Sequence, residues 1–162
     1  MRLHRPPERR HGAVAVEAAI VYPVLFFLLL AMVLGGIGVF RYQQVALLAR
    51  EAARYAAVRG GGWQEELRQP SPTQQQVIDA AVAPLAAGME PQLLGVQIQW
   101  VNTLTGEVRD WDPSSKQPAS RTAAGEPVTN KVRVTVTYQW FPGVLLPGPL
   151  TLQSASEIPM AF

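Results

Sequence analysis

The feature that most constrains this chain is an apolar block from Ala18 to Phe40, which contains no charged residue. A helix rises about 1.5 Å per residue, so roughly 20 apolar residues cross a bilayer core of about 30 Å. A secretory signal peptide has a shorter apolar region, about 7–15 residues, and ends at a small-residue cleavage site. Because this block is longer and no convincing site of that kind follows it, we predict a single-pass helix anchored in the lipid bilayer.

Basic residues before the block predict its orientation. The tail carries one acid, Glu8, against four arginines: Arg2, Arg5, Arg9 and Arg10. Basic residues near a membrane helix stay on the cytoplasmic side. Four arginines between positions 41 and 59 oppose this orientation, but the N-terminal cluster is denser and lies closest to the membrane. We therefore predict a cytoplasmic N-terminus and an extracytoplasmic C-terminal domain.

One acidic residue, Glu17, immediately precedes the apolar block. An unpaired carboxylate costs about 3 kcal/mol at the bilayer centre and less toward its edge, and such residues usually mark function. One interpretation places Glu17 in the first helical turn, favoured by the macrodipole and reaching water. In the other, a peptidase cuts after Gly12, and the new α-amine of Ala13 neutralises Glu17 of a neighbouring molecule. Burial of the carboxylate and the amine is tolerable only when the two groups lie next to each other, so the pair would fix the register between neighbouring helices.

The residues around Glu17 resemble the start of TadE-like proteins, the minor pilins or pseudopilins of Flp-type (tad) pilus systems. The N-terminal run that carries the resemblance is RRHGAVAVEAAIVYPVL, from Arg9 to Leu25. The resemblance continues in three further segments: Arg41–Ala57, Val132–Tyr138 and Leu150–Ser156. Major Flp pilins carry Glu followed by Tyr, whereas Ala18 follows Glu17 here, which argues against the major subunit.

This resemblance implies cleavage between Gly12 and Ala13 by a prepilin peptidase, and insertion into the bacterial inner membrane. It also implies that Glu17 acts in assembly. The partners it implies are the peptidase, other pilins and pseudopilins of the same system, and the pilus assembly platform. The expected role is assembly of a cell-surface pilus used in adhesion or in secretion-related fibres.

Small residues in the apolar block are candidates for helix packing. Ala31 and Gly35 are spaced as small-x-x-x-small, and Gly38 follows closely. Small residues let helices approach one another in lipid. The alternative is that glycine is simply tolerated in membrane helices, and both interpretations remain open.

The predicted organisation has four parts. Residues 1–12 form a basic leader, 13–40 a transmembrane helix, 41–62 the continuation of that helix outside the membrane, and 63–162 an extracytoplasmic domain. The helix is expected to run from about Ala13 to Arg59, because Gly60-Gly61-Gly62 is a strong stop. Its outer half carries an apolar stripe that we expect to be domain core: Val45, Leu48, Ala52, Tyr55 and Ala56.

The C-terminal domain is predicted to be α+β and pilin-like, with a second helix and a small antiparallel sheet of about three strands. Thr73 is expected to cap the second helix, which runs to about Ala87. Apolar residues alternate from Leu94 to Trp100 and from Val132 to Trp140, as in half-buried strands, and Leu150, Leu152 and Ile158 suggest a third. A long polar loop is expected from Asn102 to Asn130, with a short hairpin turn at Thr105-Gly106. We expect the apolar segment from Phe141 to Leu150 to pack against the sheet.

The side-chain inventory argues against catalysis. The chain has no cysteine, and its two histidines, His4 and His11, both lie in the predicted leader. The mature chain would therefore lack the groups for a Ser–His or Cys–His pair or a histidine metal site. Asp110-Trp111-Asp112 lacks the spacing of a calcium loop and is expected to be a solvated loop. The arginines and lysines are scattered, which argues against nucleic-acid binding. We predict a protein that is not an enzyme and has no cofactor.

Three functional hypotheses follow. The first is a minor pilin or pseudopilin of a Flp-type pilus. The second is a pseudopilin of a secretion system, with the same anchor and different partners. The third is a membrane-anchored binding module that uses the loop 102–130, in which Glu17 has no special role.

Overall fold

The computed structural model describes residues 11–112, 114–143 and 148–161. The predicted leader up to Arg10 and residues 144–147 of the Pro- and Leu-rich segment lie outside this description. Contacts divide the chain into two compact units, one ending at Gly38 and one beginning at Val39. The second unit thus begins before residue 63, because it includes the second half of the long helix.

Helix α1 runs from His11 to Ala57, within about two residues of the predicted bounds at each end. Pro23 lies inside it, and the helix continues through this position. The apolar stripe of its second half is core, as predicted. Val45, Leu48, Ala49, Ala52, Ala53 and Ala56 are all buried, and Tyr55 packs partly buried against them. Alanine at four of these positions lets the helix lie close to the sheet.

The triple glycine after α1 is more than a stop. A short helix, α2, runs from Gly61 to Leu67, so two of the three glycines are helical. Gly61 is buried, and its N–H donates to the Lys116 carbonyl at 2.6 Å. A Cβ at this position would lie 2.9 Å from that same carbonyl oxygen. Glycine is therefore required here by the close approach of two backbone segments.

The second predicted helix is present but irregular. Helix α3 runs from Gln74 to Val77, followed by a π-helical turn Ile78–Val82 and a 3₁₀ turn Ala83–Leu85. Thr73 caps it as predicted, and Gln76 completes a capping box. The π turn widens the helix just before Pro84, which cannot donate a backbone hydrogen bond. Leu85, at the end of the 3₁₀ turn that follows, is 41% exposed.

The fold class is α+β as predicted, but the sheet is larger than the three expected strands. A four-stranded antiparallel sheet has the order β2-β1-β5-β6, and a separate hairpin pairs β3 with β4. The strand bounds are β1 Leu94–Val101, β2 Val108–Asp110, β3 Ala119–Arg121, β4 Pro127–Thr129, β5 Lys131–Trp140 and β6 Leu150–Pro159. A 3₁₀ turn, Pro91–Leu93, leads into β1.

Strands β1, β5 and β6 occupy the three predicted positions, and alternate residues of β5 are buried. Val132, Val134 and Val136 on β5 form the core with Ile98 on β1 and the buried face of α1. The period-two pattern was therefore a sound predictor where one face of a strand is buried.

The segment from 102 to 130 was expected to be a long polar loop with one short hairpin turn, but it contains three strands, β2, β3 and β4. The turn at Thr105-Gly106 does join β1 to β2. Asn102 Oδ1 accepts from the N–H groups of Leu104 and Thr105, and Gly106 takes a φ of +73°. These strands have three residues each and lack a buried alternating face, so no hydropathy pattern marks them.

Candidate functional site

The predicted processing and assembly residues lie together at the start of α1. Gly12 is exposed, and a Cβ built there would meet nothing within 4 Å. Ala13 and Glu17 are four residues apart, and four residues rise about 6 Å along one face of a helix. Glu17 is exposed. The structure thus brings the predicted cleavage point and the carboxylate within about one turn of each other.

The apolar surface that follows Glu17 is exposed along the helix. The span beginning at Val14 is the described segment that is long and apolar enough to cross a membrane, with a mean hydropathy of 2.6 in its apolar window. Large side chains along it are about half to three-quarters exposed, for example Tyr22 at 67% and Met32 at 75%. An apolar surface of this extent indicates contact with lipid or with partner helices.

The small residues share one side of this helix. Ala31 and Gly35 are exposed, and nothing lies within 4 Å of a Cβ built at Gly35. At about 100° per residue, positions 17, 31, 35 and 38 fall within an arc of about 60°. Glu17, Ala31, Gly35 and Gly38 therefore form one stripe, which we call the small-residue stripe. A neighbouring helix lying on it would also meet the carboxylate.

A second polar site, in the C-terminal domain, was missed by the sequence reasoning. Trp111, expected in a solvated loop, is fully buried, and its Nε1–H donates to the Pro72 carbonyl at 2.8 Å. Lys116 is 7% exposed, donates to the same carbonyl at 3.1 Å and lies 4.9 Å from the centre of the Trp111 ring. Asp112 accepts from the N–H of Gln74 at 2.8 Å. These contacts tie Trp111, Asp112 and Lys116 to the start of α3.

Burial lowers the pKa of the Lys116 amine, and the nearby Asp112 carboxylate opposes that shift. The amine is occupied by the Pro72 carbonyl and the face of the Trp111 ring, so its role is structural. No signal in the sequence marks this cluster, because its partners are separated by about 40 residues.

Asn130 is the second buried polar residue of this region and is fully inaccessible to solvent. Its Oδ1 accepts from the Thr103 N–H at 3.2 Å and from the Ser120 hydroxyl at 3.0 Å. Its Nδ2 donates to the Gln117 carbonyl at 3.0 Å. Its backbone carbonyl accepts from the Met160 N–H at 2.9 Å. Asn130 therefore connects both hairpins through its side chain and the end of β6 through its backbone.

Open grooves flank the outer half of α1. One of about 560 Å³ lies between α1 and the π-helical segment, and its lining includes Tyr55, Arg59 and Leu85. The Arg59 guanidinium lies 3.9 Å from the centre of the Tyr55 ring and 5.2 Å from that of Trp63. The described residues contain no cluster of three or more His, Cys, Asp or Glu side chains placed to hold a metal ion.

Comparison with protein-family models matches residues 12–54 to the family described as TadE-like protein. The matched segment covers about a quarter of the chain and includes Gly12, Ala13, Glu17 and the small-residue stripe. No curated protein and no solved structure matches the chain in the corresponding comparisons. Residues 12–54 are therefore a TadE-like segment, and the resemblance predicted from the sequence is confirmed there.

Proposed function

We propose that this chain is a minor pilin or pseudopilin that takes part in the assembly of Flp-type (tad) pili. The TadE-like match points to involvement in such pilus systems. The observation that carries the proposal is the arrangement of α1. An exposed carboxylate lies about one turn after the predicted cleavage point, at the head of an exposed apolar helix.

The proposed mechanism uses this arrangement to align subunits. Cleavage after Gly12 exposes the α-amine of Ala13, and the helix holds that amine about 6 Å along the axis from Glu17 of the same chain. In a bundle of parallel helices, the amine of one subunit neutralises Glu17 of another. Any other register leaves a carboxylate unpaired in an apolar environment, which is costly. The pair therefore selects one axial offset between subunits.

The localisation and partners belong to the same proposal. The anchor lies in the bacterial inner membrane, with its N-terminus in the cytoplasm and the C-terminal domain outside. The prepilin peptidase cuts the leader, and the assembly platform together with other pilins and pseudopilins receives the mature subunit. The folded domain beginning at Val39 is then displayed on or beneath a cell-surface pilus.

Deletion of the gene, followed by complementation, tests this function. We expect the deletion to remove or strongly reduce surface pili, and the wild-type chain to restore them. Protein recovered from complemented membranes should begin at Ala13 by intact mass. Gly12→Val should leave Met1 or the leader attached without disturbing the helix, because nothing lies within 4 Å of a Cβ at Gly12. Normal pili in the deletion strain would contradict the proposal, and an uncleaved functional protein would remove its processing step.

Two adjacent glycines provide a matched test of the small-residue stripe. Gly35 lies on the stripe, whereas Gly36 is rotated by about 100° from it. A Cβ at either position meets nothing within 4 Å, so leucine at each should leave the isolated chain unchanged. We expect Gly35→Leu to reduce pilus yield by about tenfold, because it prevents close helix approach, and Gly36→Leu to have little effect. Membrane extraction and pilus counts measure insertion and assembly separately. Equal effects of the two substitutions would rule out the stripe as the packing face.

The same strains separate the alternatives. A pseudopilin of a secretion system would be processed at Gly12 and require Glu17, but its loss would impair export while surface pili remain. A membrane-anchored binding module would need neither cleavage nor Glu17.

A further inference from the structure

Strand β6 forms one open edge of the four-stranded sheet. It pairs with β5 on one side over ten residues, and no described strand pairs with its other side. The opposite edge, β2, is only three residues long. A long edge strand presents a row of unpaired N–H and C=O groups that another strand can join.

One hydrogen bond establishes which backbone groups of β6 face outward. Asn130 and Met160 extend the β5–β6 register by one pair beyond Lys131 and Pro159, and the Met160 N–H donates to the Asn130 carbonyl. Because backbone groups in an antiparallel ladder alternate between the two sides of a strand, the even-numbered residues of β6 face β5. The four odd-numbered residues from Thr151 to Glu157 therefore direct their N–H and C=O groups to the outer side.

This edge lacks the usual protection. Native edge strands are commonly protected by lysines, prolines, bulges or charged side chains. β6 has no lysine, and its one-to-one pairing with β5 contains no bulge. Its one acid, Glu157, forms an ion pair with Arg133 at 2.5 Å. Its one proline, Pro159, is the last residue of the strand. The edge from Leu150 to Glu157 is thus regular and accessible.

A charged groove of about 380 Å³ lies beside this edge, between α1 and β6. It is lined by Arg50, Glu51, Arg54, Ser156 and Ile158. Both arginines are exposed, and neither forms a salt bridge with a described residue. Side chains of a strand added at this edge would alternate between the two faces of the sheet, so every second one would point toward the groove.

We propose that the β6 edge binds an extended segment of another protein as an additional strand, with an acidic side chain of that segment between Arg50 and Arg54. Backbone hydrogen bonds to the odd-numbered residues supply affinity, and the arginines supply specificity. This interaction goes beyond the proposed function, and it does not depend on cleavage of the leader or on Glu17.

The charge of the groove favours such a partner over a second copy of this chain. Arg50 and Arg54 outnumber Glu51, so the groove carries net positive charge. Two copies joined edge to edge through β6 would bring two sets of arginines to the same interface. An added strand that carries an acidic side chain instead places that carboxylate beside Arg50 and Arg54.

Peptide binding to the full-length protein in detergent micelles tests the proposal. The probe is a fluorescent ten-residue peptide in which Thr and Val alternate and Glu replaces the third Thr. A control peptide of the same sequence carries Lys at the position of that Glu. We expect the Glu peptide to bind about tenfold more tightly than the Lys peptide. Ala155→Pro should weaken binding by about tenfold while preserving the fold, because it removes an outward N–H that β5 does not use.

Charge variants complete the experiment without relying on a proline in a strand. Arg54→Glu should reverse the preference between the two peptides, whereas Arg121→Glu, an equal charge change on β3, should leave it unchanged. Circular dichroism and tryptophan fluorescence check the fold of each variant. The proposal is overturned if Glu and Lys peptides bind equally, if Arg54→Glu retains the preference, or if the Glu peptide shows no binding at about 1 mM. Edge-dependent self-association that excludes the peptide would also overturn it, in favour of a second copy.

Discussion

Glu17→Gln is expected to leave the protein inserted and processed but to lower pilus yield by about thirtyfold or more. Gln has nearly the same shape as Glu and no charge, so insertion should become easier. In the assembled bundle, however, the Ala13 α-amine of a neighbouring subunit would lose its counter-charge. Leaving one partner of a buried ion pair alone costs several kcal/mol in proteins. About 2 kcal/mol at this position, near the membrane edge, corresponds to about a thirtyfold weaker association.

Three measurements separate assembly from its preconditions. Resistance to alkaline extraction measures insertion, the mass of the N-terminal peptide measures cleavage, and the yield of sheared pili measures assembly. Glu17→Asp keeps the carboxylate and should retain part of the yield. Val16→Gln places the same amide at a neighbouring depth, about 100° around the helix, and should have a much smaller effect than Glu17→Gln. Wild-type pilus yield from the Glu17→Gln strain would show that the carboxylate has no assembly role.

Asn130→Ala is expected to destabilise the C-terminal domain by about 3 kcal/mol. The substitution leaves the Thr103 N–H and the Ser120 hydroxyl without their partner, and the Gln117 carbonyl keeps only the hydrogen bond from the Trp100 indole N–H. Each polar group left unsatisfied costs about 1 kcal/mol or more. For a domain of this size, the loss corresponds to a fall of about 10 °C in the melting temperature.

Asn102→Ala is the matched control for this substitution. Asn102 also accepts two backbone hydrogen bonds, but both come from its own exposed turn. Its loss should cost about 1 kcal/mol or less. Urea unfolding of the full-length protein, followed by tryptophan fluorescence, compares the two variants. Similar midpoints for Asn102→Ala and Asn130→Ala would show that the buried amide is no more important than an ordinary turn residue.

Local sequence pattern was sufficient for the elements whose residues lie close together in the chain. The apolar block, the bounds of α1, the Thr73 cap and the three longer strands all follow from spacing within one segment. The TadE-like segment was recognisable for the same reason, because Gly12, Ala13 and Glu17 lie within six residues. The roles proposed for these three residues in cleavage and assembly stay predictions.

Pattern failed where long-range contacts decide the structure. Strands β2, β3 and β4 are too short and too exposed for a hydropathy period to mark them. Gly61 was predicted only to help end the long helix, yet its N–H donates to the Lys116 carbonyl and the close approach leaves no space for a Cβ. Trp111 looked like a loop residue, yet it is buried against Pro72, 39 positions away along the chain.

Hydropathy and side-chain spacing alone therefore established an α+β chain with a membrane-length helix and an acidic residue at its head. Both are local properties, since a helix repeats every 3.6 residues and a strand every two. Tertiary folding decided that Asn130 joins two hairpins, that Lys116 is buried against the Pro72 carbonyl, and that β6 is left at an edge beside Arg50 and Arg54. Those outcomes depend on which distant segments pair and pack, and no short window of sequence contains both partners.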